Sequence, residues 1–481
     1  MPVDPRAPCL IGAARRTWHE EPAPEPLDMW EQVAREAADD AGCPDALKQV
    51  QSLQVVYCQS WEYDDPCARL AERLGADPAD RSYSGLGGSV PVKLVAEAAA
   101  AMAQGRLDLA LVVGGEALAT RRHLAEPDWS YPPTESQPFP LTLDRQEAAN
   151  GIYQAYLTFA LLDTARRIHR GETITDHRAH LGQLLAPMSE VAASQPEHAW
   201  FPTARSADEI TTPSPTNRMV STPYTKLMTA IMDVDMAAAV LVATAERADA
   251  LGVPPDQRVY LRGYGAAEEP STMAARPEPW RSPAMASAMR SALGSLSVDQ
   301  VAHLDLYSCF AGSLSFARDA LGIEDDRTLT VTGGLPYHGG PGSNYDTHAL
   351  AAMVERLRND PDSFGLVSGV GMHMTSHSAL VLSTRPGSSS DGWSAAPDSS
   401  SSTSPEPTVP VASDAAGPAE VIAYSTVYSR EGPDWTALIC DLPGGARCYA
   451  RLEEPPAADE ELAGVTVTVE PGPRRATTAH R

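Results

Sequence analysis

Long apolar runs, regularly spaced cysteines and metal-binding motifs are what this sequence lacks. No stretch of about 18 uninterrupted apolar residues occurs, which predicts that no segment crosses a membrane. Residues 1–9 contain no apolar core of a secretory signal, so we expect none. The seven cysteines form no CxxC pair and no HExxH occurs, which predicts a cytoplasmic, reducing location and no bound metal.

Basic residues are also in deficit. The 481 residues include 37 lysines and arginines against 63 acidic residues, which gives a formal net charge of −26. A surface of that charge repels nucleic acids and anionic membranes, so neither is expected as a partner. Solubility, or life in a salty habitat, is the simplest explanation of the acidic excess.

Apolar periodicity alternates between strand and helix over the first 385 residues, and this alternation predicts stacked α/β layers. In the first half the expected strands are CLIGAA, LQVVYC and LDLALVVGG, and the expected helices are residues 27–41, 66–74 and 91–104. A glycine turn at residues 84–89 precedes the last of these helices. Pro91 lies in the first turn of that helix, where proline is tolerated.

The second half repeats this order. Its expected strands are VYLRGYG, LDLYSCF, FGLVSGVG and SALVLST, its expected helices are residues 285–296, 313–321 and 345–357, and LTVTGG ends in a glycine-rich turn. Two similar halves, residues 1–245 and 246–385, predict a pseudo-duplicated, layered αβαβα fold. The first half also holds a long insertion at about residues 119–236, with expected helices at 150–169 and 177–193.

The last quarter of the chain changes in composition. Residues 386–418 are rich in Ser, Pro, Ala and Asp, which predicts a flexible linker because such a segment cannot bury enough apolar surface to fold. Residues 419–481 contain the alternating segments VIAYSTVY, WTALICDL, ARCYARL and GVTVTVE. Short strands separated by turns predict a small all-β domain.

Four segments carry a family resemblance. GGSVPVKLVAEAAAAMAQGRLDLALVVGGEA looks like the nucleophile helix and following strand of thiolases, and TPYTKLMTAIMDVDMAAAVLVAT like the end of their first half. LDLYSCFAGSLSFARDALGI stands where thiolases carry Asn-Glu-Ala-Phe or His-Asp-Cys-Phe, and TVTGGLPYHGGPGSNYDTHALAAMVERLR where they carry Gly-His-Pro. Over residues 7–385 the sequence therefore resembles the thiolase superfamily. It is most similar to actinobacterial acetyl-CoA acetyltransferase-like proteins with an added C-terminal OB-like domain, which residues 420–470 fit.

The resemblance implies that the nucleophile is missing. Thiolases need a cysteine at a helix N-terminus, where the helix dipole lowers the pKa of the thiol. Gly87 takes that position here, Gly88 and Ser89 follow, and no cysteine lies between Cys67 and Cys309. These three residues are expected in the substrate-binding site. Ser89 itself is interpreted as the N-cap of the next helix rather than as a nucleophile.

Other catalytic positions differ as well. Gly-His-Pro becomes a segment in which Gly340 replaces the histidine, and Gly339 and Gly340 are expected to let backbone N–H groups approach a thioester. His338, two residues before Gly340, is either an acid–base group of the site or a plain loop histidine. The second cysteine motif becomes LVSGVGMHM, and the nearby His373 and His377 are expected on a solvated face.

A tyrosine takes over the third motif. Tyr307 replaces its Asn or His, and a phenol there either donates a hydrogen bond or moves a proton, or else packs at the core edge. Cys309 is either a nucleophile or, as is common for a strand cysteine, a packed side chain. Tyr345 and His348 lie at the start of the next helix and either face the site or pack. Asp235 matches an aspartate that is structural in the family.

The resemblance implies an enzyme that makes or breaks carbon–carbon bonds in acyl-CoA thioesters, with the thioester as substrate and no other cofactor. Aldol or retro-aldol chemistry, as in cysteine-free steroid side-chain aldolases of the superfamily, needs only an acid–base group and an oxyanion hole. The alternatives are a non-catalytic acyl-CoA or lipid-binding scaffold, and acetyl transfer through Cys309. The family also implies a homodimer. Because the chain is acidic, any CoA site must be locally basic or use amides at a helix N-terminus.

Overall fold

Strands made of small apolar residues form the centre of the molecule. The computed structural model describes residues 3–20, 22–124, 127–135, 144–324, 326–387, 393–395, 408–472 and 477–480. The strands are β1 Pro8–Thr17, β2 Ser52–Val55, β3 Asp80–Tyr83, β4 Leu109–Ala117, β5 Met219–Ser221, β6 Tyr224–Thr225, β7 Asp235–Thr244, β8 Val259–Glu268, β9 Val301–Asp305, β10 Phe364–Gly371, β11 Ser376–Ser383, β12 Ser394–Ala395, β13 Gly417–Tyr428, β14 Pro433–Asp441, β15 Arg447–Leu452, β16 Thr466–Pro471 and β17 Thr477–His480. β4 and β7 are buried along their whole length, as expected of strands that are covered on both faces.

Helices cover these strands. They are α1 Pro26–Asp40, α2 Pro66–Leu74, α3 Val90–Ala103, α4 Leu118–His123, α5 Arg145–Ala149, α6 Ala155–Arg170, α7 Ile174–Ala193, α8 Ala207–Thr211, α9 Ala245–Ala250, α10 Pro283–Leu293, α11 Ala311–Leu321 and α12 Tyr345–Asn359. Short 3-10 helices lie at Pro44–Gln49, Lys226–Met228, Pro255–Gln257, Met273–Ala275 and Val298–Gln300. Local signals set many ends: Asp65 accepts a hydrogen bond from the Ala68 N–H at the start of α2, and left-handed Gly75 ends it.

The main sheet shows the predicted duplication. Its order is β3-β2-β4-β7-β1-β8-β11-β10-β9, with β12 beside β8. Counted outward from the β1–β8 contact, the first half runs β1, β7, β4, β2 and β3, and the second half runs β8, β11, β10 and β9. Each half thus begins with its first strand, followed by its last. The central helices α3 and α12 pack on each other and on strands from both halves. The pseudo-duplicated, layered fold is therefore confirmed, and its centre lies between these two helices.

A second sheet contains the C-terminal strands. Its order is β14-β15-β17-β16-β13-β5-β6, and β13 also pairs with β14, so the five C-terminal strands close on themselves like a small barrel. The predicted all-β C-terminal domain is confirmed, while its assignment as an OB-fold stays a prediction. The insertion supplies the two remaining strands, because Val427 of β13 pairs with Ser221 of β5. The predicted insertion helices correspond to α6 and α7.

One predicted strand is shorter than expected, and the glycine-rich segment after it forms no strand. LDLYSCF is a strand only as far as Asp305, because Ser368 Oγ accepts the Tyr307 N–H that a ladder would need. LTVTGG forms no strand, because the Asp305 carboxylate accepts hydrogen bonds from the Val331 and Thr332 amides. In both places a side chain from elsewhere in the fold replaces a neighbouring strand.

The predicted linker is only partly described, since residues 388–392 and 396–407 lie outside the described residues. At its described ends the chain is attached to the core. Ser394 and Ala395 pair with β8, and the Val409 N–H donates to the Ala275 carbonyl. Within the described residues no helix is long and apolar enough to span a membrane, and no group of three or more His, Cys, Asp or Glu could hold a metal ion.

Candidate active site

The turn before α3 contains Gly87 and Gly88, two of the residues predicted to bind substrate. Gly87 has φ +147°, a conformation that favours glycine. The hydroxyl of Tyr307 occupies the space in which a Cβ atom on Gly88 would stand, and the Val370 carbonyl lies 2.5 Å from the same point. A phenol thus fills the space beside Gly88, whereas a Cβ atom on Gly87 would make only ordinary contacts with Gly371 and Val90 at 3.7 Å. The structure brings Tyr307 to the predicted site but leaves little room there for a reacting thioester.

Ser89 does not act as the predicted cap. It stands at the N-cap position of α3, but its backbone is helical (φ −78°, ψ −6°) and its side chain accepts no hydrogen bond from the first turn. Capping requires a non-helical backbone that turns the oxygen over the helix end. The Ser89 Oγ instead lies 3.1 Å from the Oγ of Ser376, and the Ser89 carbonyl accepts a hydrogen bond from Ser378.

Tyr345 is held inside the core by a carboxylate. Its hydroxyl donates to Asp305 Oδ1 at 2.8 Å and contacts Thr332 Oγ1 at 2.7 Å. Burial, followed by the charge of Asp305, raises the pKa of the phenol well above its usual value. Its ring makes an edge contact with that of Tyr307, with centroids 5.7 Å apart. Tyr345 therefore joins the glycine-rich loop, residues 332–342, to β9. Its phenol stays protonated at neutral pH.

The loop histidine His338 lies in a buried polar cluster. It is fully buried, and its Nε2 lies 3.3 Å from Nδ1 of His348, which is also fully buried. Burial lowers the pKa of both imidazoles well below the usual value, so both are neutral. Nδ1 of His338 and Nε2 of His348 have no hydrogen-bond partner within the described residues. The cluster lies close to Tyr345, whose ring is 6.0 Å from that of His338.

The remaining predicted residues are also buried. A side chain at Gly339 would meet Trp200, Val234 and Met236, and the Gly340 N–H donates to the Ile231 carbonyl, so these glycines let the loop pack against protein.

Cys309 is only half-buried as a residue, but burial of its thiol raises the pKa, so it is no thiolate at neutral pH. His377 is buried rather than solvated, because its Nε2 contacts the Ser282 hydroxyl and the Met374 carbonyl, and burial lowers its pKa to about 3.

Open space lies on the other side of the α3 N-terminus. A cavity of about 330 Å³ is bordered by Gly87, Ser89, Lys93, Glu268 and Ser376, among others. Two larger cavities surround the C-terminal half of α12, and both include Arg15, which pairs with Glu355 at 3.1 Å. Of these three cavities, only the one at α3 contains a residue of the predicted site.

Sequence reasoning missed four functional groups. Lys93 and Ser376 meet in the α3 cavity, Glu116 accepts backbone N–H bonds from residues 59 and 60, and Asp346 has two buried carboxyl oxygens without a partner in the described residues. Burial raises the pKa of Asp346 well above its usual value. For Lys93 the sequence did offer a signal: lysine is rare in this chain, and Lys93 is one of only three.

Comparison with known structures decides the family. No protein-family profile and no curated relative matches the sequence. The crystal structure of a monomeric SCP2-thiolase-like protein type 1 from Mycobacterium smegmatis matches over 100% of both chains, with a TM-score of 0.87 and 29% sequence identity. The chain belongs to the thiolase superfamily.

Two thiolase structures share the fold over most of the chain. The peroxisomal thiolase of Saccharomyces cerevisiae (14% identity, TM-score 0.59) and the acetyl-CoA acetyltransferase of Syntrophomonas wolfei (15%, 0.58) each match 80% of this superfamily member. The match covers 99% and 100% of those chains. The predicted homodimer is not supported, since the full-length structural neighbour is monomeric.

Proposed function

We propose that this thiolase-superfamily chain binds acyl-CoA-type thioesters and does not carry out the covalent thiolase reaction. One observation carries the proposal: the Tyr307 hydroxyl fills the space beside Gly88, next to Gly87, which the thiolase resemblance aligns with the nucleophile. The buried thiol of Cys309, whose pKa is raised, offers no substitute nucleophile. Full-length similarity to an SCP2-thiolase-like protein supports a thioester as the ligand class.

The α3 cavity is the proposed binding site. It opens beside Gly87 and is bordered by the N-terminal end of α3 and by Lys93. A CoA site in so acidic a chain is expected to need either helix N-terminal amides or a local cation, and this cavity has both. Glu268 and Glu269 also border it, so the phosphates of CoA must lie away from these carboxylates. The cavity therefore suits the uncharged acyl end of the ligand. We further propose a reducing, cytoplasmic location, since all seven cysteines are free, and an OB-like barrel.

Tyrosine-assisted aldol or retro-aldol chemistry is a second candidate, favoured by Asp346. This buried carboxyl lies close enough to Tyr307 to help raise the pKa of its phenol. A protonated carboxyl and a phenol are two neutral donors that can stabilise a developing oxyanion. The reaction needs the phenol to leave the space beside Gly88 so that a carbonyl can enter.

Calorimetric titration and product analysis separate these candidates. We expect saturable binding of acetyl-CoA to the full chain, and no carbon–carbon bond product by mass spectrometry from β-ketoacyl- or β-hydroxyacyl-CoA esters. Tyr307→Phe should keep the affinity within about twofold, because the ring still fills the space. Carbon–carbon cleavage by the native chain that Tyr307→Phe abolishes would establish the second candidate. The absence of any CoA-ester binding would overturn the proposal.

A further inference from the structure

Three side chains in the α3 cavity form a hydrogen-bonded relay. The Lys93 Nζ lies 2.7 Å from the Ser376 Oγ, which in turn lies 3.1 Å from the Ser89 Oγ. Lys93 comes from the first turns of α3 and Ser376 is the first residue of β11, so two central elements of opposite halves bring them together. An amine, a hydroxyl and a second hydroxyl in this order can move a proton along the chain.

The backbone around the relay leaves it space. Gly371 pairs with Ser376 across the β10–β11 hairpin, and a Cβ atom on Gly371 would lie 2.9 Å from the Ser89 Oγ. A side chain at this position would therefore push the two hydroxyls apart. The lysine is also unusual: Lys48 and Lys226, the other two lysines of the chain, are exposed, whereas the Lys93 side chain is 26% exposed.

We propose that Ser376 is a nucleophile and Lys93 its general base, and that together they take the acyl group from a small, uncharged acyl thioester and hydrolyse it. This inference rests on the proposed thioester site and adds a reaction to it. Ser376 is chosen over Ser89 because its hydroxyl contacts the amine directly and is partly exposed to the cavity, whereas Ser89 is 2% exposed. Tyr307 and the cysteines take no part.

The reaction balances with water as the second substrate. The Ser376 oxygen attacks the thioester carbonyl as its proton passes to the neutral amine of Lys93. The C–S bond breaks, the ammonium returns the proton to the leaving thiolate, and an ester on Ser376 remains. Water then attacks this ester while Lys93 takes its proton. The C–O bond breaks, the serine oxygen recovers a proton from Lys93, and a carboxylic acid leaves.

Lys93 must be neutral to act as a base. Burial lowers its pKa, while the charges of Glu268 on β8 and of Glu97 one turn along α3 oppose this. Glu268 Oε1 is 3.9 Å from Nζ and is largely exposed, so solvent screens it. Glu269, the other carboxylate of the cavity, accepts hydrogen bonds from the Ser282 hydroxyl and the Ala284 N–H. The groups that face Nζ thus leave burial as the main influence on the amine.

Ser89 is a positioning residue. Its hydroxyl can donate to the Ser376 oxygen when Ser376 gives its own proton to Lys93. It also lies at the N-terminus of α3, where partial positive charge favours a developing oxyanion. Ser89→Ala should lower the acylation rate and move the midpoint of its pH profile. Ser89→Thr, which keeps the hydroxyl, should restore the profile.

The test uses the uncharged probe S-acetyl-N-acetylcysteamine. After incubation with the full chain, we expect one acetyl group on Ser376 by peptide mass spectrometry, and release of acetate and thiol. Ser376→Ala should abolish the adduct, and Lys93→Arg, which puts a permanently protonated group in place of the amine, should slow release about a hundredfold. Lys48→Arg and Ser297→Ala, at exposed sites outside the cavity, are the matched controls.

Each outcome decides one proposal. Acylation of another residue, or acetate release that survives Ser376→Ala, would overturn the assignment of Ser376. Acetyl-CoA binding without any acylation by either thioester would overturn the hydrolytic step and leave the binding proposal standing. Acylation by the small probe without acetyl-CoA binding would support the relay and reject CoA as the carrier. Faster acetylation of Lys93 than of Lys48 by acetic anhydride at neutral pH would support a neutral amine, and slower acetylation of Lys93 would count against it.

Discussion

The hydroxyl of Tyr307 stands in the space that a side chain on Gly88 would need. The thiolase resemblance places the missing nucleophile at Gly87, and the space beside the next residue, Gly88, is filled by a phenol from the opposite half of the fold. Loss of the cysteine is therefore not an isolated change. A residue at position 307 and a glycine at position 88 have complementary sizes, and each constrains what the other can be.

Gly88→Ala should destabilise the chain. The added methyl group would meet the Tyr307 ring and the Val370 carbonyl, and backbone cannot move aside as a flexible side-chain end does. We expect a loss of about 1–3 kcal/mol in the free energy of unfolding, measured by urea titration. Gly85→Ala, on the same turn, meets nothing within 4 Å and should change stability by less than about 0.5 kcal/mol. Equal effects of both substitutions would contradict the close contact.

His338→Asn should reduce the acid sensitivity of the fold. Burial lowers the pKa of His338 below the value of about 6.5 that it has in the unfolded chain. Below about pH 6.5 the imidazole is therefore protonated in the unfolded chain but still neutral in the folded chain. Stability is therefore lost as pH falls below about 6.5, by up to about 1.4 kcal/mol per pH unit for each such histidine. His348 shifts in the same direction.

Denaturant titrations at pH 7, 6 and 5 test this. The variant should lose less stability than the native chain between about pH 6 and pH 5, by roughly 1.4 kcal/mol, because one of the two buried imidazoles is gone. The exposed His480, paired with Glu470, provides the control substitution His480→Asn. If the free energy of unfolding changed equally with pH in the native chain and in His338→Asn, this imidazole would not be held neutral.

Much of the fold could be predicted from local signals. α2 and β10 have the predicted bounds to the residue, because Asp65 and Gly75 mark the helix ends and an apolar run marks the strand. The segments after Asp305 could not be predicted in the same way. Their apolar pattern suits a strand, but their backbone N–H groups donate to side chains instead of to a neighbouring strand. The acceptors are the Ser368 hydroxyl and the Asp305 carboxylate. Such contacts join residues that are distant in sequence.

The sequence predicts a candidate site at the turn that contains Gly87 and Gly88, but it does not predict the contacts of that turn. Nothing in the sequence says that a phenol would fill the space beside Gly88. The same limit applies to Lys93 and Ser376, which lie 283 positions apart and meet only because α3 packs beside β11. Burial was also unpredictable: His377 was expected on a solvated strand face and is instead covered.

Tyr345→Phe should weaken the link between the glycine-rich loop and β9. The substitution removes the hydroxyl that donates to Asp305 Oδ1 in a fully buried site, and such a hydrogen bond to a carboxyl contributes about 2 kcal/mol. The control is Tyr337→Phe, because the Tyr337 hydroxyl is also buried but has no partner in the described residues. Its removal should be neutral or stabilising. Thermal unfolding of both variants measures the difference. Equal melting temperatures would contradict a stabilising hydrogen bond between Tyr345 and Asp305.

Tyr449→Phe should loosen the C-terminal barrel from the core. The Tyr449 hydroxyl donates to Glu147 Oε1 at 2.5 Å and accepts from the Ala274 N–H at 2.8 Å, and all three residues lie where barrel, insertion and second half meet. Phenylalanine fills the same space but leaves the buried Ala274 N–H without its partner, which costs about 1–3 kcal/mol. We expect faster limited proteolysis between the main sheet and the barrel, together with a lower melting temperature. Tyr428→Phe, at the half-buried end of β13, is the matched control and should behave like the native chain. If Tyr449→Phe raised neither the cleavage rate nor the ease of unfolding, the barrel would be held by its pairing with β5 and its packing on α6 instead.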